Sequence, residues 1–469
     1  MKKTMMLYVQ KLLHPKLISG ILIFISLFFQ GCTKDIKAVK GKDISIQSKT
    51  STGNLLITQP NIILVVADDL GYEIPSFLGG QSYETPTLDF MARNGMQFRQ
   101  CYCHPDGYPS RLAMQTGKYN FRNYTKWGIL PFEEKTIGNM LHDGGYATCF
   151  AGKWQCDGGD ERIRAAGYDK YRVFVPYNKN SQKAGRYKDP ILYENASYLP
   201  TSLTYGKFSE DLMYDYLSHF IDSNKTKPFF AVYSHTLVAR PWVPSPDDPD
   251  YAGWNTAHDV RYDVEHEDMK YFPGMVKYMD KIVGQIIKKV KDAGLAEKTI
   301  ILFTADNATK REITSQFKGM TVTGGKLKTT KEGTSIPFVA YMPGTILPGQ
   351  VNTDLVDFTD FLPSLADMAG LPKPTGYGTL DGVSFYDNLL NINGENRSWV
   401  FCHWFGDTQP LIRFVNDKVY KMYDSTNGNK FYNMQKDIYE LNPIPDSSLT
   451  PHEKLIKLEF EQVFSEMHK

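Results

Sequence analysis

The sequence predicts an α/β fold, a large and mainly parallel sheet flanked by helices, with a small antiparallel sheet subdomain at the C-terminus. Three observations carry that expectation. Continuous apolar runs rich in β-branched residues recur along the chain, each ending at a polar residue or loop; helical periodicity lies between them; and after about Gly370 the runs give way to short strand-like pieces with turn residues. Uninterrupted apolar runs belong to strands buried on both faces, and their alternation with helices is the pattern of a parallel sheet. In such sheets ligands collect outside the carboxyl ends of the strands, so polar residues placed there are site candidates.

Taken in order, the chain opens with Lys2, Lys3, Lys11 and Lys16 ahead of an apolar run from Leu17 to Phe29, closed by Gly31-Cys32. The run is short for a membrane span and is built like a secretion signal. A small residue directly before a cysteine resembles a bacterial lipoprotein signal, which makes residues 1–31 the signal peptide and Cys32 the lipidated first residue. Gln30 fits that pattern imperfectly, and a simple cleaved signal or a short anchor is the other reading. Either way the body is expected to be exported, in the lipoprotein case to the cell envelope and held on a membrane by lipid. Residues 32–59 contain Lys, Ser and Thr with few large apolar residues and read as a tether.

The body, expected over residues 60–370, begins with Asn61-Ile-Ile-Leu-Val-Val-Ala67, which runs straight into Asp68-Asp69. The pattern returns from Tyr146 to Gly152 before Lys153, from Pro228 to Ser234 before the loop Val238-Ala239-Arg240-Pro241, and from Thr299 to Ala305 before Asp306-Asn307. Between the last two, Met275, Met279, Ile282, Val283, Ile286, Ile287 and Val290 recur at helical spacing. In the C-terminal part, expected over residues 371–469, Ser398 to Cys402 and Lys418 to Tyr423 read as strands, Asn427-Gly428 as a turn, and Leu455 to Phe464 as a closing helix.

With 42% hydrophobic and 13% aromatic residues, a chain of 469 residues can bury a large core. Lys+Arg number 53 against 52 for Asp+Glu, a net charge of +1, which offers no field for nucleic acid, so any anion recognition must be local. Cys101, Cys103, Cys149, Cys156 and Cys402 are an odd set and predict no disulfide framework.

Asp68 and Asp69 after one strand, with Asp306 and Asn307 after another, form an all-oxygen group suited to a hard divalent cation. The competing reading is that the two adjacent acids cap a following helix. Further along stand Pro109-Ser110-Arg111-Leu-Ala-Met-Gln-Thr116-Gly117, Gly152-Lys153-Trp154, and Gly324-Gly325-Lys326 through Gly333 to Pro337. Together with Asp68-Asp69 and Asp306-Asn307, in their order and spacing over about 270 residues, these motifs resemble the sulfatase family of the alkaline-phosphatase-like superfamily.

The resemblance implies calcium as the cation held by Asp68, Asp69, Asp306 and Asn307, and it implies Arg111, Lys153 and Lys326 as the positive charges around a sulfate ester, with a sulfated glycan as substrate or ligand. Lys328 competes with Lys326 for its place; the distance to Pro337 favours Lys326. Preplaced cations and a metal are the main resource for a reaction that spreads negative charge over sulfate oxygens.

Three positions depart from the family. Four residues before the motif arginine the family carries a Cys or Ser that is oxidised to formylglycine, the nucleophile; here that position is Gly107, where formylglycine cannot form. A histidine in the loop after the strand ending at Ser234 aligns with Ala239, which cannot transfer a proton, and a histidine following Gly-Lys-Trp aligns with Gln155, which still donates a hydrogen bond. His235 is the nearby residue with the chemistry to replace Ala239, against the plainer reading of a core or loop histidine. Two functions follow: a sulfuric ester hydrolase in which water or another group attacks, and a sulfatase fold that binds sulfated glycans without turnover. Phosphate or phosphonate ester chemistry would need a hydroxyl nucleophile that position 107 lacks.

Overall fold

The four apolar runs singled out in the sequence are strands, and they lie side by side in the middle of one sheet. A computed structural model describes residues 59–177, 185–258, 268–405 and 410–467; the signal-like segment, Cys32 and nearly all of the tether fall outside them. In chain order the strands are β1 (Asn61–Ala67), β2 (Met96–Tyr102), β3 (Ala147–Lys153), β4 (Lys170–Phe174), β5 (Tyr193–Glu194), β6 (Ser197–Tyr198), β7 (Phe229–Ser234) and β8 (Thr299–Ala305). They continue with β9 (Thr314–Phe317), β10 (Met320–Thr323), β11 (Ser335–Tyr341), β12 (Gln350–Asp357), β13 (Val400–Trp404), β14 (Ile412–Asn416), β15 (Tyr420–Tyr423) and β16 (Phe431–Asn433).

Ten strands form the main sheet in the order β12-β2-β11-β8-β1-β7-β3-β4-β5-β6. The neighbours β8, β1, β7, β3 and β4 run parallel, as do β12 and β2, while β11 runs antiparallel between β2 and β8. Every residue of β1, β7 and β8 is buried, which is why their sequences are uninterrupted apolar runs with no alternation.

The helix expected around Met275 to Val290 spans Phe272–Asp292. Met275, Met279, Ile282, Val283, Ile286 and Val290 are buried in the core cluster that also holds the central strands, Ile287 is half-buried, and Pro273 sits in the first turn, where its missing N–H costs nothing. The C-terminal segment forms a four-stranded antiparallel sheet, β13-β14-β15-β16. Helix Pro451–Glu466, opened by a reciprocal Thr450–Glu453 cap, lays Phe460, Val463 and Phe464 against Phe401, Val415, Met422 and Phe431 of that sheet. Asn54–Lys469 make up one compact unit. Cys101, Cys103, Cys149, Cys156 and Cys402 are buried free thiols. Among the described residues no helix is long and apolar enough to cross a membrane.

Candidate functional site

The site assembles because parallel strands deliver their carboxyl ends to one place. β1 and β8 pair in register from Asn61↔Thr299 to Ala67↔Ala305, so Asp68-Asp69 and Asp306-Asn307 leave the sheet at the same level. No helix starts at Asp68; the next element is the short turn Ser76–Leu78, which removes the helix-capping reading of the two acids. Lys153 ends β3 and Ser234 ends β7, one strand further over. The chain passes between them at Gly152, whose φ is +110° and whose Cβ, if it had one, would stand 1.8 Å from the Ser234 carbonyl oxygen. Only glycine fits there.

Gly107 is the first residue of helix Gly107–Thr116, with Asp106 as its cap accepting from the Gly107 N–H at 2.8 Å. One turn later that helix points Arg111 at Asp306, Nε donating to Oδ2 at 2.9 Å. Lys153 Nζ donates to Asp68 Oδ2 at 2.7 Å and lies 3.6 Å from Asp306 Oδ2. Lys326 Nζ donates to Asp69 Oδ1, an atom that also accepts from Asn307 Nδ2 at 2.8 Å. All of these side chains are buried. Lys328 is exposed, so of the two candidate lysines it is Lys326 that joins the group.

One oxygen from each of Asp68, Asp69 and Asp306 falls within 4.8 Å of the other two. Asp68 Oδ1 and Asn307 Oδ1 are buried without a hydrogen-bond partner, as is Arg111 Nη2. Buried polar atoms are nearly always satisfied, so two unpartnered oxygens beside three carboxylates are what a hard cation would complete, and an unpartnered guanidinium nitrogen is what an anion would. The residues therefore fit a divalent oxygen-preferring metal.

Electrostatics run in both directions at once. Burial pulls the Lys153 ammonium down to about 8, against the attraction of Asp68 and Asp306. Burial raises the Asp68 carboxyl above its ordinary value, with Lys153 opposing and Asp306 and Asp69 adding to it. For Asp69 burial also works upward, but Lys326 and Lys310 outweigh it and hold the carboxyl well below the usual range. Asp306 lies below its ordinary value too, burial being overcome by Arg111 and Lys153. The carboxylates and the cations of the cluster thus hold one another in place.

Other expectations fare differently. Gln155 is buried just past β3 with its Oε1 unpartnered. Ala239 is buried and its carbonyl accepts a hydrogen bond from the Tyr187 hydroxyl. His235 is fully buried with Nδ1 2.8 Å from Glu210 Oε2, the arrangement of a core histidine. Trp242, just past the loop that carries Ala239, is in the core, and Arg240 reaches Glu312 at 3.2 Å.

Two residues of the site were not foreseen. Arg186 is 2% exposed and its Nη1 lies 3.7 Å from Asp68 Oδ2. Ser234 Oγ accepts from Arg111 Nη1 and donates to the Lys153 carbonyl at 2.8 Å, tying the helix to two strand ends.

The Sulfatase family profile matches residues 60–371. Arylsulfatase A of Homo sapiens is 29% identical over 455 residues, covering 88% of this chain and 83% of that protein. N-acetylgalactosamine-6-sulfatase of Homo sapiens is 28% identical, covering 74% and 69%. Among solved structures, Ps i-CgsB in complex with k-i-k-neocarrahexaose superposes with a TM-score of 0.69 at 23% identity, covering 87% of this chain and 93% of that one. BT4656 in complex with its substrate D-glucosamine-2-N,6-O-disulfate gives 0.69 at 19% identity, covering 87% and 97%.

Proposed function

This chain belongs to the sulfatase family, and from that premise we propose that it recognises sulfate esters on glycans at the Asp68–Arg111–Lys153–Lys326 site without formylglycine turnover. The observation that carries the reading is Gly107: it stands against Asp306 and Asn307 with no side chain to oxidise, while the carboxylates and cations around it are kept. Relatives named for N-acetylgalactosamine-6-sulfate, and a neighbour solved with a disulfated glucosamine as substrate, support a sulfated sugar as the ligand.

Asp68, Asp69, Asp306 and Asn307 would hold the calcium ion, which when bound supplies positive charge to the ester's sulfate oxygens. Arg111 brings its unpartnered Nη2 to the anion, and Ser234 fixes the plane of that guanidinium. Lys153 and Lys326, placed against Asp68 and Asp69 in that cluster, would add two further positive charges to those facing the sulfate. Gln155 offers its carboxamide to the ester. Ala239 leaves the leaving-group side without a proton donor.

The intact charge cluster favours a second reading, a sulfuric ester hydrolase in which water attacks. Loss of a covalent nucleophile costs on the order of a millionfold in other hydrolases, with a residual rate from binding and electrostatics. Sulfate release by the full chain from a small aryl sulfate and a panel of sulfated glycans, in calcium, separates the two. Binding without release supports the first; metal-dependent release that disappears in Arg111→Ala establishes the second.

The Gly31-Cys32 pair supports a lipid-anchored place in the cell envelope. Cys32→Ala that stays in the membrane fraction would remove that part of the reading.

A further inference from the structure

Beside the central cluster a separate cleft of about 480 Å³ opens, lined by Tyr72, Arg99, Gln100, Phe317, Lys318 and Lys331 among others. It is within the size range of small-ligand sites. Tyr72 is three residues beyond Asp69, and Lys331 is five beyond Lys326. Extended chain covers at most about 3.6 Å per residue, so the cleft shares the loops of the central cluster.

Its charge differs in kind from that of the cluster. There Arg111, Lys153, Arg186 and Lys326 each lean on an aspartate. Arg99, Lys318 and Lys331 make no ion pair among the described residues. Arg99 donates from Nη1 to the Leu78 carbonyl at 3.3 Å, Lys318 Nζ lies 5.0 Å from the Phe317 ring centroid, and Lys331 Nζ lies 5.3 Å from that of Tyr72. The neighbouring acid, Glu332, accepts from the Thr330 hydroxyl at 2.6 Å. Lys318 is also held in place: its backbone N–H donates to the Gly79 carbonyl at 3.0 Å, and its aliphatic stem lies where a Cβ on Gly79 would be.

The cations also feel one another. Burial lowers the Lys318 ammonium and Arg99 lowers it further; burial lowers Lys331, with Lys318 adding to the effect and Glu332 opposing it. Like charges gathered on aromatic walls with no carboxylate at ion-pair distance are stabilised by an anion.

We propose that this cleft is a second anion subsite, taking a sulfate ester or carboxylate on a sugar neighbouring the one whose sulfate occupies the central cluster. It rests on the reading of that cluster as a sulfate-ester site. The ligand it implies is an oligosaccharide with anionic groups on adjacent sugars, with Arg99 suited to two-point contact with the anion and the two lysines as point charges.

The test is calorimetric titration of the full chain, in calcium, with a sulfated dextran oligosaccharide of defined length and separately with inorganic sulfate. In Lys318→Gln/Lys331→Gln, affinity for the oligosaccharide should fall roughly tenfold or more and depend less steeply on salt, while inorganic sulfate binds as before. Lys318→Gln alone, at an exposed position, should show a smaller loss in the same direction. Should the double variant bind the oligosaccharide as tightly as the parent while Arg111→Ala does not, the subsite is wrong and the central reading stands. Should Arg111→Ala bind unchanged, the central reading fails and the neighbouring-sugar subsite with it. Inorganic sulfate lost by the double variant, with no loss for the oligosaccharide, would make the cleft a free-anion site and overturn the glycan assignment.

Discussion

Gly107 and Asp306 are so close that a Cβ on the glycine would stand 2.3 Å from Asp306 Oδ2, and 2.6 Å from Asn307 Oδ1. Asp306 is short and is held by Arg111, so it cannot simply swing aside. Position 107 thus lacks both the side chain that formylglycine formation requires and, with Asp306 as placed, the room for one.

Gly107→Ala should therefore destabilise the protein. A helix favours Ala over Gly by up to about 1 kcal/mol, but forcing a methyl into a packed position costs typically about 1–3 kcal/mol, and here the displaced atoms are charged. A melting curve is the check; an alanine variant as stable as the parent would show that Asp306 moves freely. Gly107→Cys, made in a host with the maturation enzyme, should recover at most part of a relative's activity, because Ala239 remains and Asp306 and Asn307 crowd position 107. Full recovery would show that neither Ala239 nor the crowding matters.

Calcium should raise the melting temperature, and chelation should reverse it. A ligand at a hundredfold over its dissociation constant contributes about 2.7 kcal/mol. In Asp306→Asn the calcium response should shrink, and even without metal the variant should lose about 3–5 kcal/mol, because Arg111 and Lys153 are then buried beside a neutral group. A calcium response of parental size in Asp306→Asn would remove that residue from the ligand set.

Much of the frame was legible because β1, β7 and β8 are buried on both faces, a condition that writes itself into sequence as an unbroken apolar run. The polar residues at their ends followed from the topology. The edges were harder: β12 alternates between half-buried and exposed over its first half, and β5 and β6 are two residues each, too short for any period to show. Arg186 belongs to a stretch without motif or periodicity, and nothing local marks it as the arginine that reaches Asp68. Glu210 sits in the first turn of helix Ser209–Ser223, where an acid normally reads as a solvated partner of the helix dipole; its burial against His235 is a tertiary fact.

That pair yields its own expectation. Burial works to raise Glu210, but His235 and the Thr236 hydroxyl and amide overcome it and hold the carboxyl below its ordinary value. Glu210 Oε1 also accepts from the Thr236 N–H at 2.7 Å, which anchors the loop leaving β7. His235→Ala should cost roughly 3–5 kcal/mol in an equilibrium denaturation while leaving the affinity for a sulfated ligand near parental. A stable variant with altered pH dependence of ligand binding or turnover would instead give His235 the proton work that Ala239 cannot do.

Glu73 supplies a stability test independent of any ligand. It is 1% exposed and neither carboxylate oxygen has a well-formed hydrogen bond. Burial raises it to about 7, offset only in part by the Thr309 hydroxyl and its own backbone amide, with Glu332 pushing further upward. In the unfolded chain the same group titrates near 4.5. Between those values the folded protein keeps a proton that the unfolded chain has released, so the stability it contributes is full below about 4.5 and falls as pH rises toward 7. At 1.36 kcal/mol per unit the loss is about 3 kcal/mol, reached only where Glu73 is ionised in place. Glu73→Gln carries no titrating group, so its melting temperature should fall less than the parent's between pH 5 and 8. The difference in slope is the readout, because the amide changes the absolute stability as well. Parallel curves would mean that Glu73 ionises as easily folded as unfolded, and that water or a cation reaches it in solution.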